Sequence, residues 1–376
     1  MNITRINPTV FKYNQQISSP QQQKHNSRSV QTQTQPASTP SLGQMHQFVN
    51  LSFGKKEQKE AIFSAIRKYD MEYLKQLENK NPKAFAKLIS TPEDPQTGYT
   101  PVHTAVSMNN TEALKFIAET APDEFKKTLA MKARNTLSPV YLAVSRDNPE
   151  SLRIIREAAP EIYSKEIFTE KLDAYGSTLV RKAIDDGNNK ALKFIVESNP
   201  DEFKELLIEN KSKTTSPIFY AADGDNTEAL QIIKDAEPKI FSEAVTDKYE
   251  YDRTLVHITA DSSLRKNSLE FLAVETPQEF AKTLTMQDGY GYGVTPVHIA
   301  VKEKNTRALE IMAETAPDEF KQTLSEEYYY KRYPEQPHDN PIVTAVKDNN
   351  FDALKIFAET APEEFLNIFK NYKKPE

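Results

Sequence analysis

The chain has 376 residues, no Cys, no Trp and a formal net charge of −6. That length fits two ordinary domains or one long repeat array, and without Cys neither disulfide staples nor thiolate metal sites are open to it. No run approaches the roughly 18 consecutive apolar residues of a membrane span. The first residues, MNITRINPTVFKYNQQ, lack the apolar core of a secretory signal peptide.

The net charge hides an asymmetry. Residues 1–56 hold Arg5, Lys12, Lys24, Arg28, Lys55 and Lys56 and no Asp or Glu, which leaves 42 basic against 54 acidic groups in the rest. An acidic body argues against a nucleic-acid surface, which needs a basic stripe to displace counterions. Residues 14–48 are mostly Gln, Ser, Thr, Asn and Pro, as in QTQTQPASTPS. Such a segment cannot bury enough apolar area to offset its ordering entropy, so residues 1–56 are expected to be a disordered tail. It reads as a flexible tether or secretion address, or as an inert solvated tail.

From residue 57 to the end at 376 the sequence repeats. Eight units are anchored by a small residue: Ala65, Ala105, Ala143, Ala183, Ala221, Ala260, Ala300 and Ala345. Nine positions after each stands a Leu, from Leu74 and Leu114 to Leu354. Eight further on stands a Pro, from Pro82 to Pro362. Three beyond each Pro is an aromatic residue, Phe85 to Phe365 with Tyr163 in the third unit. Four beyond that is an apolar one, Ile89 to Phe369. The distance from each aromatic residue to the next Ala varies, as expected for packed blocks joined by elastic loops.

The second unit, TPVHTAVSMNNTEALKFIAETAPDEFKKTL, shows the local logic. Pro101 suits the first turn of a helix, where its missing N–H would be unpaired anyway. Val102, Ala105 and Val106 make one apolar face. Asn109 and Asn110 suit a turn and the cap of a second helix carrying Ala113, Leu114, Phe116 and Ile117. Pro122 ends that helix and opens a third, with Asp123 and Glu124 at its positive end and Phe125 and Leu129 on its buried face. Each unit is thus expected to be two long helices and a short one. The fold class is an all-α solenoid whose units hide their apolar faces on one another.

The segments Thr100-Pro101-Val102-His103-Thr104-Ala105 and Thr295-Pro296-Val297-His298-Ile299-Ala300 resemble the ankyrin T-P-L-H-x-A signature. Ser138-Pro139-Val140-Tyr141-Leu142-Ala143 and Ser216-Pro217-Ile218-Phe219-Tyr220-Ala221 are degraded versions, and Thr254-Leu255-Val256-His257 keeps the His. The resemblance covers about residues 57–370. These units are longer than the roughly 33 residues of an ankyrin repeat, because a Pro-x-x-aromatic helix replaces the usual ending. A three-helix solenoid of the armadillo type is the alternative. The ankyrin resemblance implies a non-catalytic array that binds a protein through finger loops and a concave face.

The remaining residues point the same way. His103, His257 and His298 recur at repeat spacing and therefore do not converge; the resemblance makes each a structural hydrogen-bonding residue. No H-E-x-x-H, G-x-S-x-G or Walker A sequence is present, and no cofactor, metal or catalytic residue is expected. Positions two and three after each anchoring Ala change freely, from Arg67-Lys68 to Lys347-Asp348. In mid-array they are acidic, with Asp185, Asp186 and Asp223, which would favour a basic partner. Tyr crowds the C-terminal spacers: Tyr249, Tyr251, Tyr290, Tyr292, Tyr328, Tyr329, Tyr330 and Tyr333. Tyr is a rigid amphipathic anchor, so these fingers are candidate contacts, although Tyr could equally pack finger on finger. The expectation is a monomeric scaffold for a protein of unknown identity, with neither nucleic acid nor membrane span. It would be cytoplasmic or secreted into a host cell, since the acid-free tail resembles a type III secretion leader. An enzyme's regulatory subunit and a spacer without ligand are the other readings.

Overall fold

The computed structural model describes residues 54–173, 176–289, 293–325, 328–330 and 333–371, with backbone alone for 328–330, 333–338 and 371. Of the expected tail only residues 54–56 fall within it, and there Lys55 already opens the first helix, Lys55–Lys68. It is the first of twenty-four α-helices among the described residues, three to a unit. First helices contact first helices and second helices contact second helices from one unit to the next along the whole array. The expected α-solenoid of eight units is the observed fold.

The helix lengths differ from expectation. After the first unit the first helix is short, as in Pro101–Ser107 and Pro296–Lys302, and the second has ten residues in every unit, as in Thr111–Thr120. The third is as long or nearly so, as in Pro200–Glu209 and Pro277–Leu284, except in the third unit, where Pro160–Ser164 runs on as a π-helical turn, Lys165–Thr169. Two local signals bracket the first helix. A Thr or Ser precedes it in units two to seven, and the Thr100, Ser138, Thr178 and Thr254 side chains accept from the N–H three residues on. Behind it, the fourth residue after the anchoring Ala turns left-handed in seven units. These residues are Tyr69, Asn109, Asp147, Gly187, Asp225, Lys304 and Asn349, with φ between 49° and 69°. Only the fourth unit gives this position to Gly, whose lack of Cβ makes the conformation easy. Each third helix starts with Pro at its first turn, as expected.

The repeat positions are the core. Leu74, Leu114, Leu152, Leu192, Leu230, Leu269 and Leu309 are fully buried, and so are Phe125, Tyr163, Phe241, Phe280 and Phe320. The residues four beyond them are buried as well, from Ile89 to Leu324. The register fails only in the eighth unit, where Leu354 and Phe365 are half-buried and Phe369 is 48% exposed. Those residues await a neighbour in the next unit, and the described chain has none.

Polar side chains also join the units. Asn110 accepts from the Ala113 N–H and donates across the boundary to the Ile66 carbonyl at 2.8 Å. Asn226 reaches Ile184, Asn305 reaches Ala260 and Asn350 reaches Val301 in the same way. The sixth unit has no Asn there. Arg265 substitutes, donating to the Asp223 carbonyl at 2.9 Å. Asp147 and Asp225 work in the opposite direction, each accepting a backbone N–H, of Ala191 and Ser268, in the following unit.

The spacers form fingers that touch. Arg134 N–H donates to the Thr97 carbonyl at 3.0 Å, and a Cβ on Gly98 would lie 3.3 Å from the Ala133 backbone. Gly289 N–H donates to the Tyr251 carbonyl at 2.6 Å. In the longest spacer, β1 (Tyr328–Tyr330) pairs antiparallel with β2 (Tyr333–His338) as a small ribbon.

Candidate interaction surface

The residues two and three positions after each buried Ala form a row along one side of the array. None of the sixteen is buried. Their character changes from unit to unit: Arg67 and Lys68 are exposed at one end, Asp185 and Asp186 in the middle, Lys302 and Glu303 further on. Core positions cannot switch charge in this way, because an unpaired buried charge costs several kcal/mol.

The acidic stretch is already engaged within the chain. Arg181 meets Asp185 at 3.1 Å, Lys182 meets Asp186 at 2.6 Å and Arg265 meets Asp223 at 2.8 Å. Exposed pairs of this kind are weak, so the acids can exchange partners at little cost. Arg181 also stacks on the Tyr220 ring, 3.7 Å from its centroid, and lies beside an open cleft of about 440 Å³ lined by Lys132, Lys171 and Asp173.

Of the spacer tyrosines, Tyr249 does not present its ring to a partner. It is buried against Phe219 with ring centroids 5.3 Å apart, and its hydroxyl donates to the Ala244 carbonyl at 3.3 Å. Burial pushes its hydroxyl well above the ordinary tyrosine range. Tyr251, two residues on, is 51% exposed in a left-handed conformation. Tyr290 and Tyr292 lie outside the described residues. Tyr328, Tyr329, Tyr330 and Tyr333 sit on the ribbon by their backbone. Tyr99 packs between fingers, with His103 at 5.8 Å on one side and the Arg134 guanidinium at 5.8 Å on the other.

The histidines are fastened within separate units. His103 Nδ1 meets the Thr100 hydroxyl at 2.7 Å, and its Nε2 meets the Met131 and Leu137 carbonyls of the following finger. His257 repeats this with Thr254 and the Val294 carbonyl. Burial holds His103 down to about 4 and His257 to about 3, so both are neutral. One buried acid gave no sequence signal. Glu166 lies on a π-helical turn, Lys165–Thr169, and accepts from the Ser138 hydroxyl at 2.7 Å; burial raises its carboxyl above the usual range. Among the described residues no group of three His, Cys, Asp or Glu is placed to hold a metal ion, and no helix is long and apolar enough to cross a membrane.

No protein-family model and no curated protein matches the sequence. Among solved structures, the chain is similar to the ankyrin repeat domain of Bcl-3, with 14% identity and a TM-score of 0.46 over 67% of this chain and 97% of that one. It is similar to the human ASB11 ankyrin repeat domain, at 12% identity and a TM-score of 0.43 over 66% and 96%. A chain in the complex of the Bdellovibrio bacteriovorus predatory endopeptidase Bd0816 with the immunity protein Bd3460 gives 16% and 0.30 over 68% and 97%. On its own geometry, a Thr-Pro-x-His capping box and a left-handed turn before the second helix, the array is ankyrin-like in fold.

Proposed function

We propose that the array is a non-catalytic scaffold that binds a protein partner through its finger loops and a concave face formed by the first helices. The observation that carries this reading is the contrast at each first helix. The anchoring Ala is buried in every unit, while the residues two and three positions after it stay accessible and vary in charge. Packing accounts for the constancy of the first and leaves the second free to specify a ligand. Within that surface, Tyr251, Asp185, Asp186 and Asp223 and the ribbon bearing Tyr328, Tyr329, Tyr330 and Tyr333 are the proposed contacts, together with Tyr290 and Tyr292. Tyr249 belongs to the core.

The acid-free composition of residues 1–56 supports a second element of the proposal, that this segment is a secretion address and the array acts in a host cell. Affinity capture tests the first element. The intact chain should retain a partner that is lost when Tyr251, Tyr329 and Tyr330 become Ser and Asp185 and Asp186 become Asn, with unchanged helicity by circular dichroism. Equal capture by both proteins would remove the site.

A further inference from the structure

The faces that inner units hide from water are open at the two ends of the described array. Each third helix turns three positions toward the preceding unit: the residue before its Pro, and those two and six beyond it. Glu237 takes Lys204 of the unit before at 3.0 Å, and Thr128 and Thr323 donate back to the Ile89 and Leu284 carbonyls. The position six beyond is buried in every unit from the second to the seventh, whether it holds Thr128, Glu166, Leu206 or Ala244. In the first unit the three positions are Asn81, Ala84 and Leu88. They line an open groove of about 550 Å³, where Asn81 is exposed and Leu88 half-buried. Its rim is cationic, with Lys55, Lys56, Lys59, Lys83 and Lys87, and no described ion pair engages any of the five.

The other end shows the opposite half of the same contact. The positions three and seven beyond the Pro, which units one to seven bury, are Phe365 and Phe369 in the last helix, Pro362–Asn371. Phe369 and Leu366 are about half exposed, and the two Phe rings stack on each other at 5.4 Å. Glu363 and Glu364 stand in the first turn of the same helix.

We propose that the Lys-rimmed groove of the first unit receives the Pro362–Asn371 helix of a second copy, so that copies join head to tail. The contact continues the register that already stacks third helix on third helix inside the chain. It places Leu88 against Phe369 and sets the lysines opposite the acidic start of the incoming helix. Such a contact uses different patches on the two partners, so it is not limited to a dimer and grows with concentration. It departs from the monomer expected from sequence and does not depend on the scaffold reading.

Sedimentation velocity of the full chain over a wide concentration range tests this. The wild-type chain should shift from monomer to dimers and longer species, and added salt should weaken the shift. Leu88→Asp removes the groove and Phe369→Asp removes the helix face, so each variant alone should stay monomeric while keeping its circular dichroism. An equimolar mixture of the two variants should give a dimer and nothing larger, because one good groove and one good face remain. A wild-type chain that stays monomeric at every concentration, association insensitive to both substitutions, or a mixture that fails to dimerise would overturn the proposal. So would a monomer that takes an acidic peptide in the groove.

Discussion

The side-chain amide of Asn110 holds two units together at once: its oxygen caps the helix that follows, and its nitrogen binds the Ile66 carbonyl of the unit before. Asn110→Ala removes a cap and the bond between the units, leaving the Ile66 carbonyl only the Tyr69 N–H at 3.3 Å, and should cost about 1–3 kcal/mol. Asn188 has the same place in the fourth unit but makes no cap bond, and its amide nitrogen is buried without a partner. Asn188→Ala should therefore be close to neutral. Urea unfolding of the two variants separates these outcomes.

Core and finger substitutions should differ sharply. Leu192→Ala or Phe203→Ala in the fourth unit deletes a buried side chain and should cost about 2–5 kcal/mol. Phe369→Ala, at the same repeat position as the buried Leu207, should cost far less because half its surface is already in water. Similar melting shifts for all three would contradict the stacking described above.

The neighbouring tyrosines give a second contrast. Tyr249→Ser should destabilise by about 2–4 kcal/mol through loss of its packing on Phe219. Tyr251→Ser should leave the melting temperature nearly unchanged and weaken only partner capture. Thermal melts alongside capture assays distinguish the two roles.

The buried histidines set a pH dependence. In the unfolded chain they take up protons near pH 6.5, whereas the folded chain keeps His103 neutral to about 4 and His257 to about 3. Their contribution to stability is full above pH 6.5 and is lost as pH falls through that window, by about 1.4 kcal/mol per pH unit for each histidine. His257→Gln should flatten the slope of stability against pH between 6 and 4 by about one proton. An unchanged slope would show that His257 does not titrate on unfolding.

The left-handed turns offer a gain. Lys304, with φ 54°, carries a Cβ where Gly would sit without strain, so Lys304→Gly should stabilise by about 0.5–1 kcal/mol. Asp225, at the same place with φ 56°, caps Ser268 and bonds Asn267 in the next unit. Asp225→Gly should lose more than it gains. Chemical denaturation that ranks the two the other way would refute this reading of the turn.

Most of the fold was legible because Pro, Leu and the aromatic residue recur at fixed offsets, and a repeated packing unit demands the same shape each time. Helix lengths were less legible: the shortness of the first helix depends on a left-handed turn that Asp147 and Lys304 adopt without any compositional mark. Nor does the sequence separate Tyr249 from Tyr251, since the distinction comes from Phe219 in the preceding first helix and from the backbone turn at Tyr251. Inter-unit bonds were hidden for a similar reason. Asn110 reads as a cap from its neighbours alone, and Arg265 reads as nothing until Asp223 is seen beside it.

Every substantial helix contact stays within a unit or joins it to the next. Tension applied at the two termini would therefore meet no element that braces the whole length. Such a molecule should yield one brick at a time, each releasing about 38–45 residues and lengthening the tether by roughly 130–150 Å, like a zip fastener opened from its loose end.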